Sequence, residues 1–293
     1  MKRTERTLVI IYYVWIFREL DEKNVPETDL IIGGPCCQGY SNANRAGNET
    51  QDISKRLLID DYIRIVKAKK PLMFLVENVE QFLTKEKGKY LQRVIENLSE
   101  DYNITYSVVN DWELGGYSKR KRMLLIGSVK AMGKVIIPDV ELASKRVVKD
   151  ALKKVTSEWY NYSDITKASE QTKQKMAQVP QGGNYKNIAG MENLDRHSNF
   201  YRRLSLDKPS VTITNWRKVN LTHPIENRIL SVSEAAAIMG LDRNFKFFGT
   251  INDRQQQVGN GVTQAIASFA KHICKTYLYK FVNMQLNKGL MIA

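Results

Sequence analysis

The sequence has little cysteine, no membrane-length hydrophobic run and no repeats. Only three cysteines occur among 293 residues: Cys36, Cys37 and Cys274. An odd count with two adjacent members argues against a disulfide framework and points to a reducing compartment. The longest apolar run near the start, TLVIIYYVWIF at 7–17, is too short to span a bilayer, so no membrane association is expected. Basic residues precede it as in a signal peptide, but no small-residue cleavage site follows, and it reads as buried core. The absence of internal repeats and low-complexity tracts argues against solenoid and disordered classes.

What is present describes a globular protein. Apolar residues make up 43% of the chain, enough at this length for one large domain or a domain with a smaller companion. The formal net charge is +14. Either the surface is generally basic or the partner is a polyanion, of which nucleic acid is the commonest.

Strand and helix signals alternate through the first half. TDLIIGG, LMFLVEN, NITYSVVN and RMLLIGS read as strands, and SKRLLIDDYIRIVKAKK (54–70) and KYLQRVIENLSE (89–100) as amphipathic helices. The alternation predicts an α/β fold with a mainly parallel sheet covered on both faces. Residues 130–225 lose it and become polar and irregular around VPQGGNYKNIAG. A helix then begins at SVSEAAAIMG, where Ser231 and Glu234 have capping-box spacing. A last helix follows QQVGNGVTQ and is expected to run to about Asn283. The expected organisation is a domain over 1–128, a polar insert over 129–225, and a return to the first domain over 226–293.

In open α/β sheets ligands bind beyond the carboxyl ends of the strands. GGPCCQGYS places Cys36 and Cys37 after one strand, and VENVEQF places Glu77 and Asn78 after the next. SKRKRMLLIGS places Arg120 and Arg122 just before a third. Singly, each has an ordinary reading: a buried thiol, a strand-end ion pair, a solvated basic face. Together, in this order, they offer a thiol, a carboxyl group and two guanidiniums at one sheet edge.

These segments resemble the DNA (cytosine-5) methyltransferase family. Its Gly-Gly-Pro-Pro-Cys-Gln-Gly-Phe-Ser loop matches residues 33–41, with Cys36 at the second proline and the family's nucleophile at Cys37. Its Glu-Asn-Val is Glu77, Asn78 and Val79. Its Gln-x-Arg-x-Arg is SKRKR, with Ser118 in place of glutamine. Its Arg-x-Leu-x-x-Arg-Glu retains Arg228, Leu230 and Glu234 with Ser233 for the second arginine, and its Gly-Asn-x-Val is Gly259 to Val262. The resemblance extends from about Arg18 to about Ile273. It implies a Rossmann-like S-adenosylmethionine-dependent methyltransferase sheet with a small irregular target-recognition domain in the polar insert.

The chemistry implied is methyl transfer to carbon 5 of a cytosine flipped out of double-stranded DNA. The Cys37 thiolate would add to carbon 6. Glu77 would act at ring nitrogen 3, Arg122 at the exocyclic oxygen with Arg120 in support, and Asn78 would hold the loop. S-adenosyl-L-methionine is the implied cofactor, with Leu57, Asn260, Gly261, Val262 and Ser41 as its contacts, and no metal is called for. Arg202, Arg203, Trp216, Arg217 and Lys218 are candidate DNA contacts, each with an exposed basic surface as the competing reading. A cytoplasmic, bacterial or phage-encoded enzyme with a cognate restriction endonuclease would suit this family.

One family feature is absent: the Phe-x-Gly-x-Gly turn that ends the first strand and the acidic residue that ends the second. Only about 36 residues precede Cys37, and the family's third-strand aspartate falls at Ile16. The expectation is therefore an amino-terminally truncated sheet that binds the cofactor weakly, with a separate amino-terminal fragment as a potential partner. Three alternatives stay open at this level. The chain would be a non-catalytic DNA-binding remnant, one subunit of a split enzyme, or a transfer-RNA methyltransferase. The last is disfavoured because no cysteine lies between Cys37 and Cys274 to form the RNA-acting branch's Cys-Phe-Thr tripeptide.

Overall fold

The computed structural model describes residues 20–35, 58–141 and 145–287. The apolar run 7–17 lies outside them. Short β-rich segments form a four-stranded sheet: β1 (Leu30–Gly33), β2 (Met73–Asn78), β3 (Tyr102–Asn110) and β4 (Lys121–Val129), in the spatial order β1-β2-β4-β3. The two central strands are nearly continuous apolar runs, and β2 and β4 are accordingly buried along most of their length. The edge strand β3 is mostly half-buried instead, with Tyr102 and Val109 buried and Tyr106 and Val108 exposed.

Among the described residues the sheet is mixed, where a mainly parallel one was expected. β1 and β2 pair in parallel, Leu30 opposite Met73 and Gly33 opposite Val76. β2 and β4 pair antiparallel, Met73 opposite Ser128 and Asn78 opposite Met123. Residues 111–120 are too short a connection for a crossover helix, so the chain doubles back. The alternation of strands and helices could not reveal this reversal, because it comes after the last helix of the series.

Helix α1 (Leu58–Lys69) turns Ile59, Tyr62, Ile63 and Val66 inward, at the three- and four-residue spacing of one helical face. Helix α2 (Lys89–Leu98) buries Tyr90, Val94 and Leu98 at intervals of four. Phe74 stands edge-on to both Tyr62 and Tyr102, with ring centroids 6.3 and 5.0 Å away. Burying each such ring contributes roughly 1.5–3 kcal/mol.

Contacts divide the described residues into two compact units. One comprises 20–35, 58–109, 121–139 and 270–287; the other comprises 110–120, 140–141 and 145–269. The second unit holds short helices α3 (Val148–Leu152), α4 (Glu170–Ala177), α5 (Val232–Ile238) and α6 (Ile251–Asn260). Ser231 caps α5 in the expected capping box: its hydroxyl accepts from the Glu234 amide and its own amide donates to Glu234. Residues 226–269, expected with the first domain, pack with the insert, because Trp216 shares one core with Leu230 and α5. The last helix, α7 (Gln264–Asn287), extends past Asn283.

Irregular backbone in the second unit needs partners for its carbonyls. Arginine provides many of them. Arg203, only 5% exposed, donates to the carbonyls of Val179, Met176, His223 and Glu226 and to Asn227 Oδ1. Burial holds its pKa below the ordinary arginine value.

Candidate active site

The antiparallel entry of β4 brings three segments to one edge of the sheet. β1 ends at Gly33 and β2 at Asn78, and β4 starts there, with Met123 opposite Asn78. Arg122 Nε lies 3.0 Å from Glu77 Oε1, with both side chains mostly buried. Arg122 Nη1 also donates to the Lys121 carbonyl at 2.7 Å. An ion pair this sheltered offsets its desolvation only through close geometry, so each partner fixes the other's position.

The carboxylate of Glu77 faces the start of the cysteine loop: a Cβ added to Gly34 would stand 3.4 Å from Glu77 Oε2. Asn78 is buried. Its Nδ2 donates to the Pro35 carbonyl at 3.1 Å and its Oδ1 accepts from the Val79 amide at 2.9 Å. Asn78 therefore ties the last residue before Cys36 to the end of β2. Beneath this tie, Tyr62 packs so closely on Gly33 that a Cβ there would come within 2.5 Å of its ring. The Tyr62 hydroxyl lies 3.1 Å from the Ile31 carbonyl and 3.0 Å from that of Leu75, bracing β1 against β2. Cys36, Cys37, Ser41 and Leu57 lie outside the described residues.

The family model for C-5 cytosine-specific DNA methylases matches residues 17–275, a range that contains this edge of the sheet. The chain belongs to the DNA cytosine-5 methyltransferase family. It is 31% identical over 261 residues to the type II methyltransferase M1.HphI of Haemophilus parahaemolyticus, covering 86% of this chain and 68% of that one. It is 27% identical over 281 residues to M.Sau96I of Staphylococcus aureus, covering 91% and 65% respectively. The chain thus spans about two thirds of these relatives. Among solved structures, a DNA modification methyltransferase encoded within an Escherichia coli prophage superposes with a TM-score of 0.67 at 23% identity, over 89% of this chain and 81% of that one. Entamoeba histolytica methyltransferase EhMeth superposes at 0.63 with 15% identity, over 91% and 82%. These likenesses show a shared S-adenosylmethionine-dependent methyltransferase fold.

In this methyltransferase the two motif arginines differ sharply in surroundings. Arg122 pairs with Glu77, whereas Arg120, 2% exposed, reaches backbone carbonyls within the second unit. Its Nη1 donates to Ile213 O at 2.9 Å, and its Nη2 to Gly259 O at 3.2 Å and Gly261 O at 2.8 Å. Gly259 must be glycine at this junction, since a Cβ would fall 2.5 Å from the Thr214 carbonyl oxygen. Arg120 thus fastens the Gly-Asn-Gly-Val segment to the irregular backbone at Ile213.

Methyltransferases of this family use S-adenosylmethionine. Of the residues that the resemblance assigns to it, Asn260, Gly261 and Val262 are described. Asn260 is exposed, Gly261 and Val262 are half-buried, and Arg120 holds the intervening backbone. An exposed carboxamide on a backbone so fixed fits a cofactor contact. Among the described residues no group of three or more His, Cys, Asp or Glu side chains could hold a metal. No helix there is long and apolar enough to cross a membrane.

Two further sites explain motif residues. Ser118, in place of the family's glutamine, donates through its amide and hydroxyl to buried Asp111 Oδ2 at 3.0 and 2.7 Å. Burial pushes the Asp111 carboxyl above its ordinary pKa against these bonds. Asp111 thus fixes the Ser118 backbone from seven positions earlier in the chain. Arg228 grips Glu234 with two parallel bonds of 2.8 and 2.7 Å. Burial raises the Glu234 carboxyl, but the Arg228 and Ser231 hydrogen bonds outweigh it and hold its pKa below the usual value.

The candidate DNA contacts separate by burial. Arg203 and Trp216 are corrections: both were expected to face DNA. Arg203 is consumed by carbonyls, and Trp216, 1% exposed, donates through Nε1 to the Leu230 carbonyl at 3.1 Å. A basic or aromatic residue type does not distinguish a surface contact from a core strut. Arg202 and Arg217 are half-buried and Lys218 is exposed. Arg202 also donates to the Gly182 carbonyl.

Proposed function

We propose that this chain methylates carbon 5 of a flipped-out cytosine in double-stranded DNA through a covalent Cys37 adduct. The observation carrying the reading is the Arg122–Glu77 pair beside the Pro35 carbonyl held by Asn78. Cys37 follows Pro35 by two residues in the sequence.

The cysteine sulfur adds to cytosine carbon 6 and makes carbon 5 nucleophilic. S-adenosylmethionine, when bound through Asn260, Gly261 and Val262 with Leu57 and Ser41, supplies the methyl group as a sulfonium. A water molecule then takes the carbon 5 proton, the freed electron pair reforms the 5,6 double bond, and Cys37 leaves as the thiolate. A cytosine offers ring nitrogen 3 to Glu77 and its exocyclic oxygen to Arg122, so both members of the ion pair exchange a mutual contact for one to the base. Thiolate addition leaves negative charge on the ring, which a protonated Glu77 carboxyl offsets by donating to ring nitrogen 3 and the Arg122 guanidinium offsets at the exocyclic oxygen. Arg120 acts at a distance, by holding the turn at 259–261.

Residues 129–225 form the target-recognition region in this reading, with Arg202, Arg217 and Lys218 on the DNA-facing side. The chain works in the cytoplasm and protects sites cut by a cognate restriction endonuclease. Bisulfite sequencing of DNA from cells expressing it would read out the target sequence.

The test is a covalent trap. DNA carrying 5-fluorocytosine cannot lose a carbon 5 proton, so the adduct persists. With S-adenosylmethionine present, the chain is expected to form a complex stable to denaturation, and Cys37→Ser to form none. Methyl label on cytosine without any trapped complex would refute the covalent route. Absence of both would refute the activity.

A further inference from the structure

The second unit carries a cation cluster that the methyl-transfer site does not use. Residues 145–154, KRVVKDALKK, contain five cations and one acid. Three of the cations have carboxylate partners: Lys145 pairs with Glu141, Lys149 with Asp207 and Lys153 with Asp150. The other two converge on an aromatic ring. Arg146 lies over the Tyr117 ring at 5.4 Å and Lys154 at 5.0 Å. The Tyr117 hydroxyl accepts from Lys154 Nζ and, at 3.4 Å, from Arg146 Nη1.

This arrangement leaves two exposed charges without a counter-charge among the described residues. Both cations are exposed while Tyr117 is only 2% exposed, so the ring is a fixed platform and the charges face water. A neutral phenol oxygen balances neither charge, and among the described residues neither cation has an ion pair with a carboxylate. Two like charges held by one platform, beside neighbours that are each matched, present a localised surplus of about two charges. The repeating anion that fits an exposed pair of this kind is the phosphodiester backbone of DNA.

We propose that Arg146 and Lys154, positioned on Tyr117, are a backbone-phosphate contact for the DNA substrate. This rests on the reading of the chain as a DNA-binding methyltransferase. Phosphate contacts position a duplex without reading its sequence, so the contact adds affinity evenly across sequences.

The experiment measures binding of a 30-base-pair duplex of mixed sequence by fluorescence anisotropy across a salt series. Each neutralised phosphate contributes a slope of about 0.9 in log K against log salt, so a fourfold rise in salt weakens one contact about 3.5-fold and two contacts about twelvefold. The double variant Arg146→Gln/Lys154→Gln is therefore expected to lose about 1.8 from the salt slope. The charge-retaining Arg146→Lys/Lys154→Arg should keep most of the wild-type slope. Lys149→Gln/Lys153→Gln, which removes already matched charges, should change it less. A salt slope in the double glutamine variant equal to wild type, with wild type binding DNA, would overturn the proposal and leave the methyltransferase reading standing. An equal loss in the Lys149/Lys153 control would also overturn it, by showing that only general charge matters. A wild-type chain that binds no DNA would overturn both readings together.

Discussion

Replacing Arg120 by methionine keeps the aliphatic stem and removes every donor. The carbonyls of Ile213, Gly259 and Gly261 then lose their guanidinium partner inside a site where Arg120 is 2% exposed. Hydrogen bonds to a charged group are each worth about 1.5–3 kcal/mol, but the three share one side chain and opening of the turn would admit water. Breaking a buried charged network costs about 3–5 kcal/mol, which is the loss expected here. At 2–4 °C per kcal/mol for a region of this size, the transition should fall by roughly 6–20 °C. Two compact units need not unfold together, so the loss should be read where it arises. Trp216, buried in the same unit, reports by fluorescence. Hydrogen exchange at the Gly261 amide, bonded to the Gln257 and Val258 carbonyls at 3.1 Å, reports on the turn itself. Arg120→Lys should be intermediate, since one ammonium cannot span three carbonyls. An Arg120→Met variant within about 0.5 kcal/mol of wild type, with unchanged exchange at Gly261, would refute the view that this side chain holds the turn.

Other expectations follow from neighbouring geometry. Gly259→Ala should destabilise by about 1–3 kcal/mol despite a helix-propensity gain of up to about 1 kcal/mol, because its Cβ would strike the Thr214 backbone. Thermal melts check it, and a stabilised variant would show that segment 213–214 moves freely. Glu234→Gln should cost about 1–3 kcal/mol at neutral pH by weakening the grip of Arg228. Glu234 titrates lower when folded than unfolded, so its contribution is present above the unfolded value of about 4.3 and is lost as pH falls through the folded one. The gap between variant and wild type should therefore close below about pH 4 in denaturant titrations, and a gap independent of pH would contradict the assignment.

Much of the architecture is local and was readable in residue order. Short apolar runs identify the four strands, the 3.6-residue period identifies α1 and α2, and the Ser231–Glu234 spacing predicts a cap that forms as expected. The motifs Glu77-Asn78 and Arg120-x-Arg122 likewise mark one sheet edge, because strand ends are legible wherever apolar runs stop. Tertiary structure alone decided what each polar side chain does there. The reversal of β4 sets Arg122 beside Glu77. Arg120, two positions away, turns instead to the carbonyls of a distant turn, and Arg203 and Trp216 are drawn into the core. Burial is a property of the whole fold: an arginine near irregular backbone is pulled in wherever carbonyls lack partners, and nothing in its neighbours along the chain records how many there are. The same reason hides the pairing of Tyr117 with Arg146 and Lys154, residues 29 and 37 positions apart that meet only once the second unit is packed.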